Sequence, residues 1–118
     1  MPALELNDLD RRIWNEELND FVPDKIFDAH THIFRWAYNT DPDKDSGPLR
    51  NFVQPAFEDA GWKLLDECDE LLMPGRQVER LSFPFPYSNG CDFDGSNEFI
   101  AGEVKGHPQS GALMLVHP

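Results

Sequence analysis

The chain has 118 residues, of which 40% are hydrophobic and 12% aromatic, so it is long and apolar enough to bury a core, and wholesale disorder is excluded. Ten basic residues stand against 22 acidic ones, and the net charge of −12 makes nucleic acid and anionic membranes unsuitable partners. No apolar run reaches the ~20 residues that span a bilayer, and the N-terminus is acidic, unlike a signal peptide. Two cysteines cannot form a disulfide framework, so we predict a cytoplasmic protein with reduced Cys68 and Cys91.

The N-terminal segment, NDLDRRIWNEELNDF, has the spacing of a helix. Leu9, Ile13 and Leu18 recur at near-helical intervals, Asn7 or Asp8 can cap the start, and Pro23 closes it. The segment KIFDAHTHIF that follows is short and apolar, which predicts a strand. We therefore treat residues 1–22 as an N-terminal helical extension, and residues 23–118 as the remainder of a single partial domain.

A long polar loop, RWAYNTDPDKDSGPLRN, separates this strand from a second helix. An apolar stripe beginning near Pro55 and running to Leu72 predicts that helix, and Pro74-Gly75 ends it. A strand is then expected at 78–83 and a helix at about 95–105. The final segment, GALMLVHP, is continuously apolar and predicts a strand buried on both faces.

The predicted order of elements defines an α/β fold. Strands that alternate with helices are typical of a parallel sheet with right-handed crossovers. Three such strands would leave sheet edges and apolar faces uncovered. We therefore expect the N-terminal part of a longer α/β protein, or copies of the chain that associate through an uncovered sheet edge.

The first predicted strand carries the most informative motif, FDAHTHIF. Residues i and i+2 of a strand point to the same side, roughly 6.5 to 7 Å apart, so two imidazoles at these positions can reach one ion. His30 and His32 are thus candidate metal ligands at a strand end, while Thr31 points away. Asp28 is expected on the same face, as an outer carboxylate that orients a histidine or as a stabiliser of the strand's start. The alternative is a pair of ordinary hydrogen-bonded histidines.

FDAHTHIF resembles the first-strand signature of the metal-dependent amidohydrolase superfamily. With RLSFPFP, CDFDGSNEFIAGEV and GALMLVHP, the region from about residue 22 onwards is similar to the N-terminal portion of the "amidohydrolase 2" branch. The resemblance implies the first β/α units, about three parallel strands, of a TIM-type (β/α)8 barrel that is truncated here. It also implies a metal-dependent hydrolase or non-oxidative decarboxylase that acts on small carboxylated, amide or ester substrates.

The resemblance further implies a divalent metal at His30 and His32, zinc in the first place and manganese as the alternative. The family's remaining ligands and its aspartate general base come from later strands, so we expect this chain alone to have little or no activity. Arg35 and Trp36 follow the strand and His117 ends the third. Each is a candidate substrate-binding residue, with a surface salt bridge as the alternative for Arg35 and no assigned role as the alternative for His117.

Two other classes of function stay open at this point. One is a non-catalytic α/β fragment, structural or interacting, whose histidines bind no metal. The other is a TatD-like metal-dependent nuclease, which also begins with two histidines one residue apart, although the charge of −12 opposes it.

Overall fold

The structure, a computed structural model, describes residues 4–45, 58–87 and 89–118. Its helices and strands in chain order are α1 (Asp8–Ile13), β1 (Lys25–His32), β2 (Phe34–Arg35), β3 (Asp59–Ala60), α2 (Trp62–Leu72), β4 (Gln77–Phe83), α3 (Phe93–Val104) and β5 (Gly111–Ala112).

A parallel sheet of three strands in the order β1-β4-β5 organises the molecule. Helix α2 lies between β1 and β4 in the chain, and α3 lies between β4 and β5, so each parallel pair is joined through a helix. The α/β class predicted from the alternating pattern is confirmed. A second, antiparallel sheet pairs β2 with β3 just beyond the end of β1. No helix in the described ranges is both long and apolar enough to cross a membrane.

The predicted N-terminal helix is confirmed as α1, which continues as a π-helical turn over Trp14–Leu18. Asn7 caps it: its side chain accepts from the Asp10 amide, and the Asp10 carboxylate accepts from the Asn7 amide. Arg76, just before β4, holds the segment that follows. Its guanidinium donates to backbone carbonyls of Asn19 and Val22 and lies 4.9 Å from the Trp14 ring.

Helices α2 and α3 cover one face of the parallel sheet. Ile33, Trp62 and Ile100 form the buried core there, with Phe99 and Val104 packed against it. A further link is ionic and involves Arg80 of β4, of which only 1% is exposed.

The Arg80 guanidinium binds the carboxylates of Asp66 and Asp69 on α2 and lies 4.8 Å from the Trp62 ring. Burial raises the pKa of Asp69, against the opposing influence of Arg80. Arg80 therefore links β4 to α2 on the helix-covered face of the sheet.

The second helix begins later than its apolar stripe predicted. Ala60 belongs to β3, Gly61 is the N-cap residue, and α2 starts at Trp62. The Glu103 carboxylate of α3 accepts from the Trp62 amide, and a Cβ on Gly61 would lie 3.0 Å from the Glu103 Oε2 atom. A tertiary contact thus sets this boundary. The part of the predicted helix at residues 55–57 lies outside the described residues.

The last segment is also different from its prediction. Strand β5 is limited to Gly111–Ala112, and the Leu113 amide makes one further bond to the Ser82 carbonyl of β4. Leu113, Met114 and Val116 are 53%, 67% and 80% exposed. The expectation of a strand buried on both faces is therefore wrong. The Asn97 side chain of α3 instead bonds both the amide and the carbonyl of Leu115, at 2.7 and 2.9 Å. Sequence periodicity cannot reveal this side-chain contact.

Candidate metal site

His30 and His32 lie at the carboxyl end of β1, where sites of parallel α/β folds are usually built. His32 is in register with Phe83, the last residue of the neighbouring strand β4. The ends of the two strands thus meet at one edge of the sheet. The predicted location of the histidines is therefore the one that the structure shows.

A β-bulge interrupts β1 directly before the histidines. Asp28 pairs with Arg80 and Thr31 pairs with Ser82, so β1 uses three steps where β4 uses two. Asp28 and Thr31 consequently share the helix-covered face, and His30 and His32 share the other. The regular alternation that placed Asp28 on the histidine face does not hold.

The Asp28 carboxylate makes its hydrogen bonds on that covered side. It accepts from the His30 backbone amide at 2.9 Å and from the Thr31 hydroxyl at 2.7 Å. Neither imidazole ring is its partner. The outer-carboxylate role predicted for Asp28 is thus not exerted through a ring nitrogen in this structure.

The two imidazoles converge on one point. Their Nε2 atoms are 3.3 Å apart, and the ring centroids are 5.1 Å apart. Two nitrogens that each lie ~2.0–2.1 Å from a tetrahedral ion are separated by about 3.3–3.4 Å. The observed spacing therefore fits two ligands of one zinc ion, and it equally fits a hydrogen bond between two neutral rings.

The second ring nitrogen of His32, Nδ1, helps to distinguish a metal site from a hydrogen bond between the two rings. Nδ1 of His32 is buried, and no group satisfies it as a hydrogen-bond partner. The backbone carbonyls of Pro84 and Phe83 act to raise the pKa of His32, although they do not satisfy Nδ1. A proton on Nδ1 leaves the Nε2 lone pair free to face His30, which is the tautomer a metal requires.

Burial sets the protonation state of the His32 ring. Desolvation lowers the pKa of His32, and the positive charge of a protonated His30 lowers it further. The nearby Pro84 carbonyl opposes this shift without cancelling it. His32 therefore stays neutral to lower pH than a solvated histidine, and only the neutral form can bind a metal.

Aromatic residues wall the pair on the β4 side. The Phe83 ring lies 4.7 Å from both imidazole rings, and the Phe85 ring lies 5.4 Å from that of His32. Phe83 is the last residue of β4, and Phe85 follows two residues later. Their alignment beside His32 follows from strand register, which no local pattern supplies.

The three candidate substrate-binding residues are placed differently from one another. A row of edge-to-face ring contacts connects Trp36 to His32. The ring centroids are 5.8 Å apart for Trp36 and Tyr87, 5.3 Å for Tyr87 and Phe85, and 5.4 Å for Phe85 and His32. The Arg35 guanidinium lies 4.2 Å from the Phe99 ring of α3. The His117 ring contacts Phe93, 5.4 Å away, also on α3. Trp36 is thus linked to the pair through aromatic rings, whereas the Arg35 guanidinium and the His117 ring each contact an aromatic ring of α3. The Tyr87 hydroxyl also donates to the Arg35 carbonyl, and Nδ1 of His117 lies 2.8 Å from the Pro118 carbonyl.

The set of ligands is incomplete within the described ranges. No group of three His, Cys, Asp or Glu side chains among those residues could hold a metal ion. Two imidazoles alone form an open site, since zinc is almost always four-coordinate. Further ligands would have to be water, substrate or groups outside the described residues.

Comparison with known proteins does not identify a family: no protein-family model, no curated protein and no solved structure matches the chain. The site therefore stands on its own geometry.

Proposed function

We propose that this chain supplies two imidazole ligands, His30 and His32, to a divalent metal site at the carboxyl end of its parallel sheet. The observation that carries the proposal is the 3.3 Å separation of their Nε2 atoms. The buried, unsatisfied Nδ1 of His32 supports it, because a proton on that nitrogen would leave Nε2 free to bind a metal. Imidazole nitrogens suit zinc, which is the metal we expect, with manganese as the alternative.

We further propose that the sheet corresponds to the first three strands of a (β/α)8 barrel of the amidohydrolase type. The spatial order β1-β4-β5 follows the chain, and each neighbouring pair is linked through a helix, as in such a barrel. The uncovered face that carries both imidazoles would be the barrel's interior. The activity would be metal-dependent hydrolysis or non-oxidative decarboxylation of a small carboxylated, amide or ester substrate.

The described residues define what this chain would contribute to that chemistry. A bound divalent ion would supply Lewis acidity toward water or a substrate oxygen. His30 and His32 would hold it, and Phe83 and Phe85 would exclude water from one side of the imidazoles. Two ligands provide weak binding, so we expect little or no turnover from this chain alone.

Zinc titration of the purified chain in competition with a chromophoric chelator tests the proposal. Loss of an outer partner typically lowers metal affinity 10–100-fold, so loss of the ligands should lower it at least about 100-fold. We expect that loss in the double variant His30→Gln, His32→Gln. The matched control is His107→Gln, His117→Gln, which removes the other two of the four histidines.

The control variant should bind zinc within about threefold of the unaltered chain, because its histidines stack on Trp62 and contact Phe93 instead. Equal zinc affinity in the unaltered chain and in the His30→Gln, His32→Gln variant would remove the proposed site. The non-catalytic class of α/β protein would then be favoured.

A further inference from the structure

We propose that Asp28 and Thr31 are positioning residues that lock the β-bulge of β1 and so bring the two imidazoles to one point. The inference rests on the proposed metal site for its function, and on the hydrogen bonds of the bulge for its geometry. Neither side chain is a proposed ligand of the metal ion. Both act through the backbone that carries His30 and His32.

The bulge is held by a single carboxylate with two partners. Oδ1 of Asp28 accepts from the His30 amide at 2.9 Å, and Oδ2 accepts from the Thr31 hydroxyl at 2.7 Å. The extra residue of a bulge lacks a partner in the strand ladder, so its amide must be satisfied elsewhere. Asp28 supplies that acceptor for His30 and ties it to the residue between the two histidines.

Pairing with the neighbouring strand determines which face of the sheet each residue of the bulge occupies. Thr31 is buried opposite Ser82, which is fully buried, on the face covered by the helices. Without the extra residue, Asp28 would lie on the imidazole face rather than beneath it.

The test separates hydrogen bonding from charge. Asp28→Asn removes the charge but keeps an oxygen that can accept from His30 and an amide that can donate to Thr31. Asp28→Ala removes both bonds. Thr31→Val removes the hydroxyl with little change of shape, and Thr31→Ser keeps it. Asp20→Asn, at an exposed turn, is the control for one lost negative charge.

We expect zinc affinity to fall about 10–100-fold in Asp28→Ala and about tenfold in Thr31→Val. Asp28→Asn and Thr31→Ser should stay within about threefold of the unaltered chain, as should Asp20→Asn. An equal loss in Asp28→Ala and Asp28→Asn would overturn the inference in favour of a charge effect. Unchanged affinity in a folded Asp28→Ala variant would overturn it as well.

A second readout needs no metal and keeps this inference distinct from the metal site. In the metal-free protein, imidazole ¹⁵N shifts report the contact between the two Nε2 atoms, and hydrogen exchange reports the His30 amide. Both should change in Asp28→Ala and be kept in Asp28→Asn. If the unaltered chain binds no zinc at His30 and His32 but these changes occur, the proposed function fails and the positioning role stands. Unchanged shifts and exchange in Asp28→Ala would overturn the positioning role.

Discussion

At the scale of single residues, the two histidines differ although they share a motif. His32 packs between Phe83 and Phe85, with one ring nitrogen buried, whereas His30 is exposed. The strand period predicted the shared face of the pair. It could not predict that burial beside the next strand would lower the pKa of His32.

The lowered pKa of His32 gives the folded protein a pH dependence. The unfolded chain binds a proton near the ordinary histidine value of about 6.5, and the folded chain does so only at lower pH. The contribution to stability is therefore complete above about pH 6.5 and is lost as the pH falls through the lowered value. Thermal unfolding of metal-free protein between about pH 7.5 and about pH 5.5 should show this loss.

His32→Gln should flatten that part of the profile, because the substituted residue does not titrate. His117→Gln, which retains His32, serves as the matched control and should keep the part of the slope that His32 causes. The same slope in all three proteins would contradict the assignment of this dependence to His32.

The faces that the residues of β1 occupy were only partly predictable from the sequence. The H-x-H spacing predicted the convergence of His30 and His32, and the structure bears out their common face. Asp28 was expected on that face because alternation assumes a regular strand. The bulge arises from pairing with β4 and from a carboxylate that bonds two local groups, and neither is encoded in a period of two.

At the scale of elements, one link between the sheet and helix α2 is ionic. Arg80 is almost completely buried, and its partners Asp66 and Asp69 lie on α2. A buried cation is compatible with stability only while its partners remain, because their charges offset its own desolvation. The apolar pattern of the helices therefore gives an incomplete account of what holds α2 in place.

Arg80→Met should lower the free energy of unfolding by about 1–3 kcal/mol, because the partly buried carboxylate of Asp69 loses its ionic partner. The double variant Arg80→Met, Asp69→Leu should recover most of that loss, since apolar replacement of a buried pair is often neutral. Urea denaturation of the three proteins at pH 7 measures both effects. A double variant no more stable than Arg80→Met alone would contradict the ionic account.

Element boundaries were predictable where local chemistry decides them. Asn7 caps α1 and Asp92 caps α3, both with side-chain bonds to the backbone amide three residues on. The start of α2 was missed because Glu103, 41 residues further along the chain, bonds its first amide. The last strand was overextended because continuous apolarity predicts burial and says nothing about what is available to cover it.

At the scale of the whole molecule, the described residues form a sheet covered by helices on one face. The opposite face carries both imidazoles together with Phe27, which is 57% exposed. Apolar side chains of the last segment are exposed as well. A metal site on such a face is open to solvent. Further ligands or apolar side chains from outside the described residues would strengthen metal binding there.

X-ray absorption spectroscopy of the zinc-loaded chain tests the central claim most directly, since it reports the ligands around the metal itself. The account predicts imidazole scattering that corresponds to two nitrogen ligands ~2.0–2.1 Å from zinc. It also predicts that the His30→Gln, His32→Gln variant loses this signal. A zinc spectrum without imidazole scattering, or one unchanged in that variant, would contradict the account.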